Sequence, residues 1–137
     1  MIGISSLTII DKKGKSIVSR MYWSDIPSSF LSIFNQKILE HDNEGNPPIL
    51  IADNLTFFWV ENKNIRILAT TAGNSHSMMI CSFLNSFVKL LKEMLISVEA
   101  DTVRDNTIII YELMDEIIDN GYPQSTDYKL MKKYITS

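Results

Sequence analysis

The sequence is poor in the residues that metal centres and disulfide frameworks require. Its 137 residues include one cysteine, Cys81, and two histidines, His41 and His76. A single cysteine excludes an intrachain disulfide and fits a reducing compartment. Neither histidine has a second ligand at helical spacing or a Cys-x-x-Cys pair nearby. We therefore predict no metal site and no cofactor.

Glycine is equally scarce. The chain has 5 glycines, and none belongs to the G-x-x-x-x-G-K-[ST] pattern that holds nucleotide phosphates. Ser75 and Ser77 flank His76, but sequence neighbours seldom form a catalytic pair, and the G-x-S-x-G pattern of serine hydrolases is missing. Cys81 lies inside an apolar segment and is predicted to be a core residue, not a nucleophile. These observations indicate that the protein is not an enzyme.

Concentrated positive charge is the third absence. The 13 basic and 16 acidic side chains give a net charge of −3, and only Lys12-Lys13 and Lys132-Lys133 are adjacent basic pairs. The sequence therefore shows neither a nucleic-acid footprint nor a polybasic membrane patch. It also has no bilayer-spanning apolar run and no signal-peptide pattern. We expect one soluble cytosolic domain over residues 1–137.

Short β-branched and aromatic segments separated by Gly, Asn and Asp predict five strands. They are Ser5–Ile10, Lys15–Tyr22, Ile49–Ala52, Leu55–Glu61 and Ile65–Thr71. The connections within the first pair and within the last three are short enough for hairpins, so these neighbours are predicted to be antiparallel.

Four further segments have helical periodicity. The first begins near Asp25 and Pro27 and fades at His41; the others are Asn74–Ser97, Thr102–Asn120 and Asp127–Ile135. Gly121 is predicted to cap the third helix in a left-handed conformation, with Pro123 stopping it. The order β-β-α-β-β-β-α-α-α indicates an α+β fold, with the first helix on one face of the sheet and the later helices on the other.

A row of carboxylates is the strongest catalytic candidate. Glu112, Asp115, Glu116 and Asp119 have the spacing of one helix face, as a glycosidase or metal site would need. No basic or ligand-type residue is interleaved with them, so we predict a solvated or partner-facing acidic surface. A carboxylate-dependent hydrolase using Glu112, Asp115 or Asp119 is the alternative from a different functional class.

Apolar residues are abundant enough to allow two interpretations. Phe57, Phe58 and Trp59 are consecutive, so strand alternation must direct at least one ring to the opposite face. The predicted helix Asn74–Ser97 is apolar over more than half of its circumference. Either these residues fill a three-layer core, or some of them form a large permanent interface with a partner. Both can hold.

Two motifs support a family resemblance. The strings YELMDE (Tyr111–Glu116) and DNGYPQ (Asp119–Gln124) resemble the N-terminal domain of the medium (mu) subunits of clathrin-associated adaptor complexes. The likeness extends to IIDKKGK (Ile9–Lys15) and to Tyr134–Thr136, so it covers essentially the whole chain. The sequence departs from the family at Asn120, where phenylalanine is common.

The resemblance implies a longin (profilin-like) fold, a five-stranded antiparallel sheet between helices, and a non-enzymatic role in vesicle coats. It implies packing against a beta-type large subunit, in a heterotetramer with a second large and a small (sigma) subunit. The expected location is cytoplasmic and peripheral, on clathrin-coated vesicles of the trans-Golgi, endosome or plasma membrane, in intracellular protein transport and endocytosis. The cargo-binding domain of the family is expected to lie beyond Ser137.

Candidate partner-interface residues under this resemblance are Phe58, Met79, Phe83, Phe87, Tyr111, Asp115, Tyr122 and Pro123. The resemblance leaves open whether the complex is of the plasma-membrane type or the trans-Golgi and endosomal type. Two alternatives share the fold: a small sigma-type coat subunit, and a freestanding longin domain of a SNARE.

Overall fold

The five predicted strands form a single antiparallel sheet. A computed structural model describes residues 3–40, 49–73, 77–119 and 121–123, and the strand order in its sheet is β2-β1-β5-β4-β3. The strands are β1 (Ser6–Asp11), β2 (Ser16–Met21), β3 (Ile49–Ala52), β4 (Leu55–Asn62) and β5 (Ile65–Ala72). Every boundary lies within one residue of its predicted position, because the turn residues between strands mark the ends clearly.

Helices cover both faces of the sheet, as predicted. They are α1 (Phe30–Glu40), α2 (Ser77–Met94), α3 (Ala100–Asp105) and α4 (Thr107–Ile117). The side chains of α1 share one buried cluster with one face of the sheet, whereas α2, α3 and α4 share a second cluster with the other face. None of these helices is both long and apolar enough to cross a bilayer. The predicted loop at 42–48 and the predicted helix at 127–135 lie outside the described residues.

Alternation along β4 divides the three consecutive aromatic rings between the two faces. Phe57 and Trp59 lie in the α1 cluster, where each ring centre is 5.4 Å from that of Phe34. Phe58 points the other way, into the cluster that contains Phe87. All three rings of β4 are buried, so for this segment the interpretation as a three-layer core is confirmed.

The first helix begins later than its sequence signals suggest. Its predicted start is near Asp25, but the Asp25 carboxylate accepts a hydrogen bond from the hydroxyl of Ser5 at 2.7 Å. The backbone N–H of Phe30 bonds to the carbonyl of Pro27 at 3.1 Å, which forms a turn before the helix. Asp25 therefore holds the segment between β2 and α1 next to the start of β1, and the helix begins at Phe30.

The predicted helix Thr102–Asn120 is broken at Asn106. The side-chain amide of Asn106 donates to the carbonyl of Thr102 at 2.7 Å, which is the acceptor that the backbone N–H of residue 106 would use in a continuous helix. That N–H bonds instead to the carbonyl of Val103 at 3.2 Å. The side chain thus replaces the main-chain bond, and α3 and α4 become separate helices.

The end of this segment also differs from the prediction. Helix α4 stops at Ile117, and residues Ile118–Asp119 (β6) pair with Tyr122–Pro123 (β7) in a short antiparallel hairpin. Gly121 does have a positive φ of 86°, but it lies in the hairpin turn and does not cap the helix. Its carbonyl accepts the N–H of Ile4 at 2.6 Å, which anchors the hairpin to the start of the chain.

Candidate functional site

The carboxylate row does not form an enclosed acidic site. Glu112, Asp115 and Glu116 are on α4, whereas Asp119 lies in β6, beyond the end of the helix. Asp115, Glu116 and Asp119 are exposed. Across the described parts of the chain, no group of three or more His, Cys, Asp or Glu side chains is arranged to hold a metal ion.

One of these carboxylates belongs to a polar cluster between β2 and α4, which we call the β2–α4 cluster (Ser19, Arg20, Tyr111 and Asp115). The guanidinium of Arg20 lies 4.6 Å from the ring centre of Tyr111 and donates to the Asp115 carboxylate at 2.9 Å. The Tyr111 hydroxyl accepts the backbone N–H of Ser19 at 3.1 Å. Helix α4 therefore closes part of the outer edge of β2, which would otherwise present unpaired backbone groups.

Two polar atoms near this cluster are buried and have no hydrogen-bond partner, the Nε of Arg20 and the hydroxyl of Tyr22. Burial raises the pKa of Tyr22; the negative charge of Asp115 adds to this effect and Arg20 opposes it. The hydroxyl therefore remains protonated over the physiological range and carries no charge. Nothing in this geometry provides a nucleophile with an adjacent base.

Cys81 fits its predicted role as a structural residue. It is half-buried on α2 and packs against the core cluster beneath that helix. Burial raises the pKa of its thiol, which lowers the fraction of reactive thiolate at neutral pH.

Three of the candidate interface residues lie in the core of the chain. Phe58 and Phe87 are inaccessible to solvent and Phe83 nearly so. The rings of Phe83 and Phe87 stack with their centres 6.1 Å apart. Their periodicity was correctly identified, but burial against the sheet leaves these three rings little surface for a partner.

Met79, Tyr111 and Asp115 keep accessible surface, while Tyr122 and Pro123 form β7. Met79 is 60% exposed and, among the residues that the structure describes, is one of six large apolar side chains that face solvent. The six lie on six different segments and are Met21, Leu39, Ile51, Met79, Ile96 and Ile108. Most of the apolar side chains that the structure describes are therefore buried in the core. A partner role for the eight candidates stays a prediction.

Sequence reasoning missed a second polar site, at the end of the sheet where the β1–β2 and β4–β5 turns lie. Asp11 organises the first turn, since one carboxylate oxygen accepts the N–H groups of Lys13 and Lys15, both at 2.9 Å. The other oxygen accepts from Arg104 of α3 at 3.3 Å. The hydrogen bond from the N–H of Lys15 is the largest influence and holds the pKa of Asp11 below its usual value; burial opposes it, and Lys13 and Arg104 add smaller lowering contributions.

Next to Asp11 is an open cleft of about 280 Å³, which we call the turn cleft. The charged side chains that line it are Asp11, Lys12, Glu61, Lys63 and Arg66. They come from both turns, because β1 pairs with β5 and residue 11 is opposite residue 65. Only this pairing, absent from any local sequence pattern, could have revealed the cleft.

The sequence is similar to those of mu subunits of AP-1 complexes. The sequence is 40% identical over 132 residues to the AP-1 complex subunit mu of Dictyostelium discoideum. It is 35% identical over 133 residues to the AP-1 complex subunit mu-2 of Homo sapiens. Each alignment covers 96% of this chain and 31% of the relative, so the chain spans about a third of the length of these curated relatives. A scan against protein-family models finds no match.

Chains with the same fold occur in homology models of the full-length AP-3 complex. A chain in a homology model of the full-length AP-3 complex in a stretched open conformation aligns with a TM-score of 0.70 and 12% identity, over 93% of this chain and 88% of that one. A chain in an intermediate open conformation of the same complex aligns with a TM-score of 0.60 and 19% identity, over 89% of this chain and 31% of that one. These likenesses show the fold, and the expected α+β longin architecture is confirmed.

Proposed function

We propose that the chain is the non-enzymatic assembly domain of an adaptor-complex mu subunit. Similarity at 40% identity across 96% of the chain is the observation that carries this proposal. Because the chain spans 31% of that relative, we assign it only the assembly role, and cargo binding belongs to the remainder of a longer mu chain. The relatives described above are AP-1 subunits, which favours a complex of the AP-1 type.

The proposed partner is a beta-type large subunit, within a heterotetramer that also contains a second large and a small subunit. In this role the domain acts in vesicle-mediated protein transport as a peripheral component of the coat. Exposed side chains on α2 and α4 support a surface contact, since Met79 is largely accessible and Asp115 lies at the outer side of the β2–α4 cluster.

Co-expression with the beta-type large subunit tests the assignment. We expect the two proteins to co-purify and the melting temperature of this domain to rise. A partner that binds only the folded state increases the free energy of unfolding by about 2.7 kcal/mol when it is present at 100 times its Kd. Two proteins that stay separate and keep their individual melting temperatures when mixed would contradict the proposal.

Paired variants on α2 test the contact surface. Met79→Asp places a charge at an exposed apolar position, and Ser82→Asp places the same charge at an exposed polar position nearby on the helix. If Met79 contacts the large subunit, its variant should weaken association by roughly tenfold or more, since desolvating a charge at an interface is costly. The Ser82 variant should bind normally. Equal affinities for both variants would exclude Met79 from the interface.

A small coat subunit is the second candidate, because the AP-3 chain aligned over 88% of its own length is close to this chain in size. The sequence that follows residue 137 in the gene separates the candidates. A long β-rich domain would favour a mu subunit, a stop codon would favour a small subunit, and a heptad segment would favour the SNARE alternative.

The hydrolase alternative has a direct test at Asp115. Its carboxylate is bonded to Arg20 on an exposed surface, with side-chain exposures of 54% and 41%, and it lines neither the turn cleft nor the open cleft at residues 22–25. We expect no glycosidase or esterase turnover from the wild type, and therefore none to lose in Asp115→Asn. Turnover that disappeared in this variant would revive the alternative.

A further inference from the structure

The turn cleft gathers positive charge that is scattered in the sequence. Strand pairing between β1 and β5 brings the two turns to one end of the sheet. Five basic side chains lie on these turns and the strand ends beside them, namely Lys12, Lys13, Lys15, Lys63 and Arg66. Four of them are exposed and Arg66 is half-buried. A chain with a net charge of −3 thus has a local concentration of cations at this end.

The carboxylates that line the cleft are already engaged. Asp11 accepts two backbone N–H groups and the Arg104 guanidinium, and Glu61 accepts from Arg66 at 2.8 Å. Within the described residues, Lys12 forms no ion pair. Lys63 contacts Glu99 at 3.4 Å, but its side chain is 57% exposed, and exposed pairs of this kind are worth little. Lys12 and Lys63 can therefore both turn towards an added anion.

We propose that the turn cleft binds the phosphorylated headgroup of an anionic membrane lipid. Lysine ammonium groups are effective point-charge ligands for phosphate, and two adjacent turn tips can approach a flat lipid surface together. The cleft volume of about 280 Å³ accommodates a small headgroup. The choice of a membrane over an acidic protein rests on the proposed function, in which the domain belongs to a coat that lies on a membrane.

Vesicle flotation tests the proposal with the 137-residue chain. The vesicles contain phosphatidylcholine alone, phosphatidylcholine with phosphatidylserine, or phosphatidylcholine with a phosphatidylinositol monophosphate at matched total charge. We expect the third kind to bind best and the first not to bind. A lysine near an anionic surface contributes about 1 kcal/mol, or roughly fivefold in affinity. The double variant Lys12→Gln/Lys63→Gln should therefore bind roughly 25-fold more weakly.

The matched control is Lys89→Gln/Lys92→Gln, which removes the same charge from exposed positions on α2 and should keep its affinity within about twofold of wild type. The soluble headgroup should compete with the vesicles, whereas inorganic phosphate at the same concentration should not. Three results would each overturn the proposal. They are an equal loss of vesicle affinity in the two double variants, no vesicle binding by either wild type or variants, and binding to acidic polypeptide but not to vesicles. Co-purification of the Lys12/Lys63 variant with the large subunit, measured in parallel, separates failure here from failure of the proposed function.

Discussion

Two buried threonines on neighbouring strands should respond in opposite directions to the same substitution. Thr70 on β5 is inaccessible to solvent, and its hydroxyl has no hydrogen-bond partner. Ser6, which is opposite Thr70 on β1, has an equally buried and unpartnered hydroxyl. Thr56 on β4 is also buried, but its hydroxyl donates to the carbonyl of Gly73 at 2.8 Å. Valine retains the β-branched shape in both cases, so the comparison isolates the hydroxyl group.

The expected magnitudes follow from the state of each hydroxyl. A buried, unsatisfied polar group costs roughly 1–3 kcal/mol, so Thr70→Val should raise the free energy of unfolding by about 1 kcal/mol or more. Thr56→Val breaks a hydrogen bond with a net value of about 0.5–1.5 kcal/mol and leaves the Gly73 carbonyl short of a donor, so it should lower stability.

Urea unfolding followed by tryptophan fluorescence measures both changes. With a slope of roughly 1–3 kcal/mol per molar urea, a change of about 1 kcal/mol moves the midpoint by about 0.3–1 M. We expect a higher midpoint for Thr70→Val, a lower one for Thr56→Val, and unchanged slopes. If Thr70→Val destabilised the protein as much as Thr56→Val does, the Thr70 hydroxyl would have to be bonded in solution, and the reasoning would be wrong.

Three other perturbations test the core, the first turn and the last hairpin. Phe87→Ala and Ile110→Ala, both at fully buried positions, should each cost about 2–5 kcal/mol, and a urea midpoint that hardly moved would show that the core is misplaced. The folded-state pKa of Asp11 is depressed, so its ionised form stabilises the protein at pH values above the unfolded-state pKa. This stabilisation is lost as the pH falls through the folded-state pKa. Urea titrations across the acid range should therefore show that the stability difference between wild type and Asp11→Asn disappears at low pH. Gly121→Ala should destabilise more than Gly73→Ala, because both have positive φ but only at Gly121 would the added Cβ approach a backbone oxygen to 2.6 Å; equal melting temperatures for the two variants would contradict the close approach.

Local sequence patterns were sufficient for the sheet. Alternation along β4 predicted the division of its three rings, and the turn residues predicted strand ends to within one residue. The helical periodicity of the late region also agrees with the structure, since its regularly spaced apolar residues Val103, Ile110, Met114 and Ile117 are all fully buried. These features depend on spacings of two to four residues, which a single sequence contains.

Features that depend on competing or distant contacts could not be predicted. Asn106 is compatible with a helix in isolation, and only its side-chain bond to Thr102 shows that the helix breaks there. The contact between Tyr111 and Ser19 joins residues 92 positions apart. The turn cleft likewise depends on the register between β1 and β5. A sequence with scattered lysines therefore carries no local sign of the charge that the fold brings together.

The contacts of the YELMDE motif (Tyr111–Glu116) show what this motif does in the fold. Within YELMDE, Leu113 and Met114 are buried in the core, whereas Tyr111 and Asp115 contact the edge strand β2 through Ser19 and Arg20. These contacts hold α4 along the edge of the chain's own sheet. Resemblance in this string is therefore strong support for the fold. The exposed sides of Asp115 and Glu116 are what the motif leaves for a partner, so variants on α4 must be judged on stability before any loss of association is assigned to an interface.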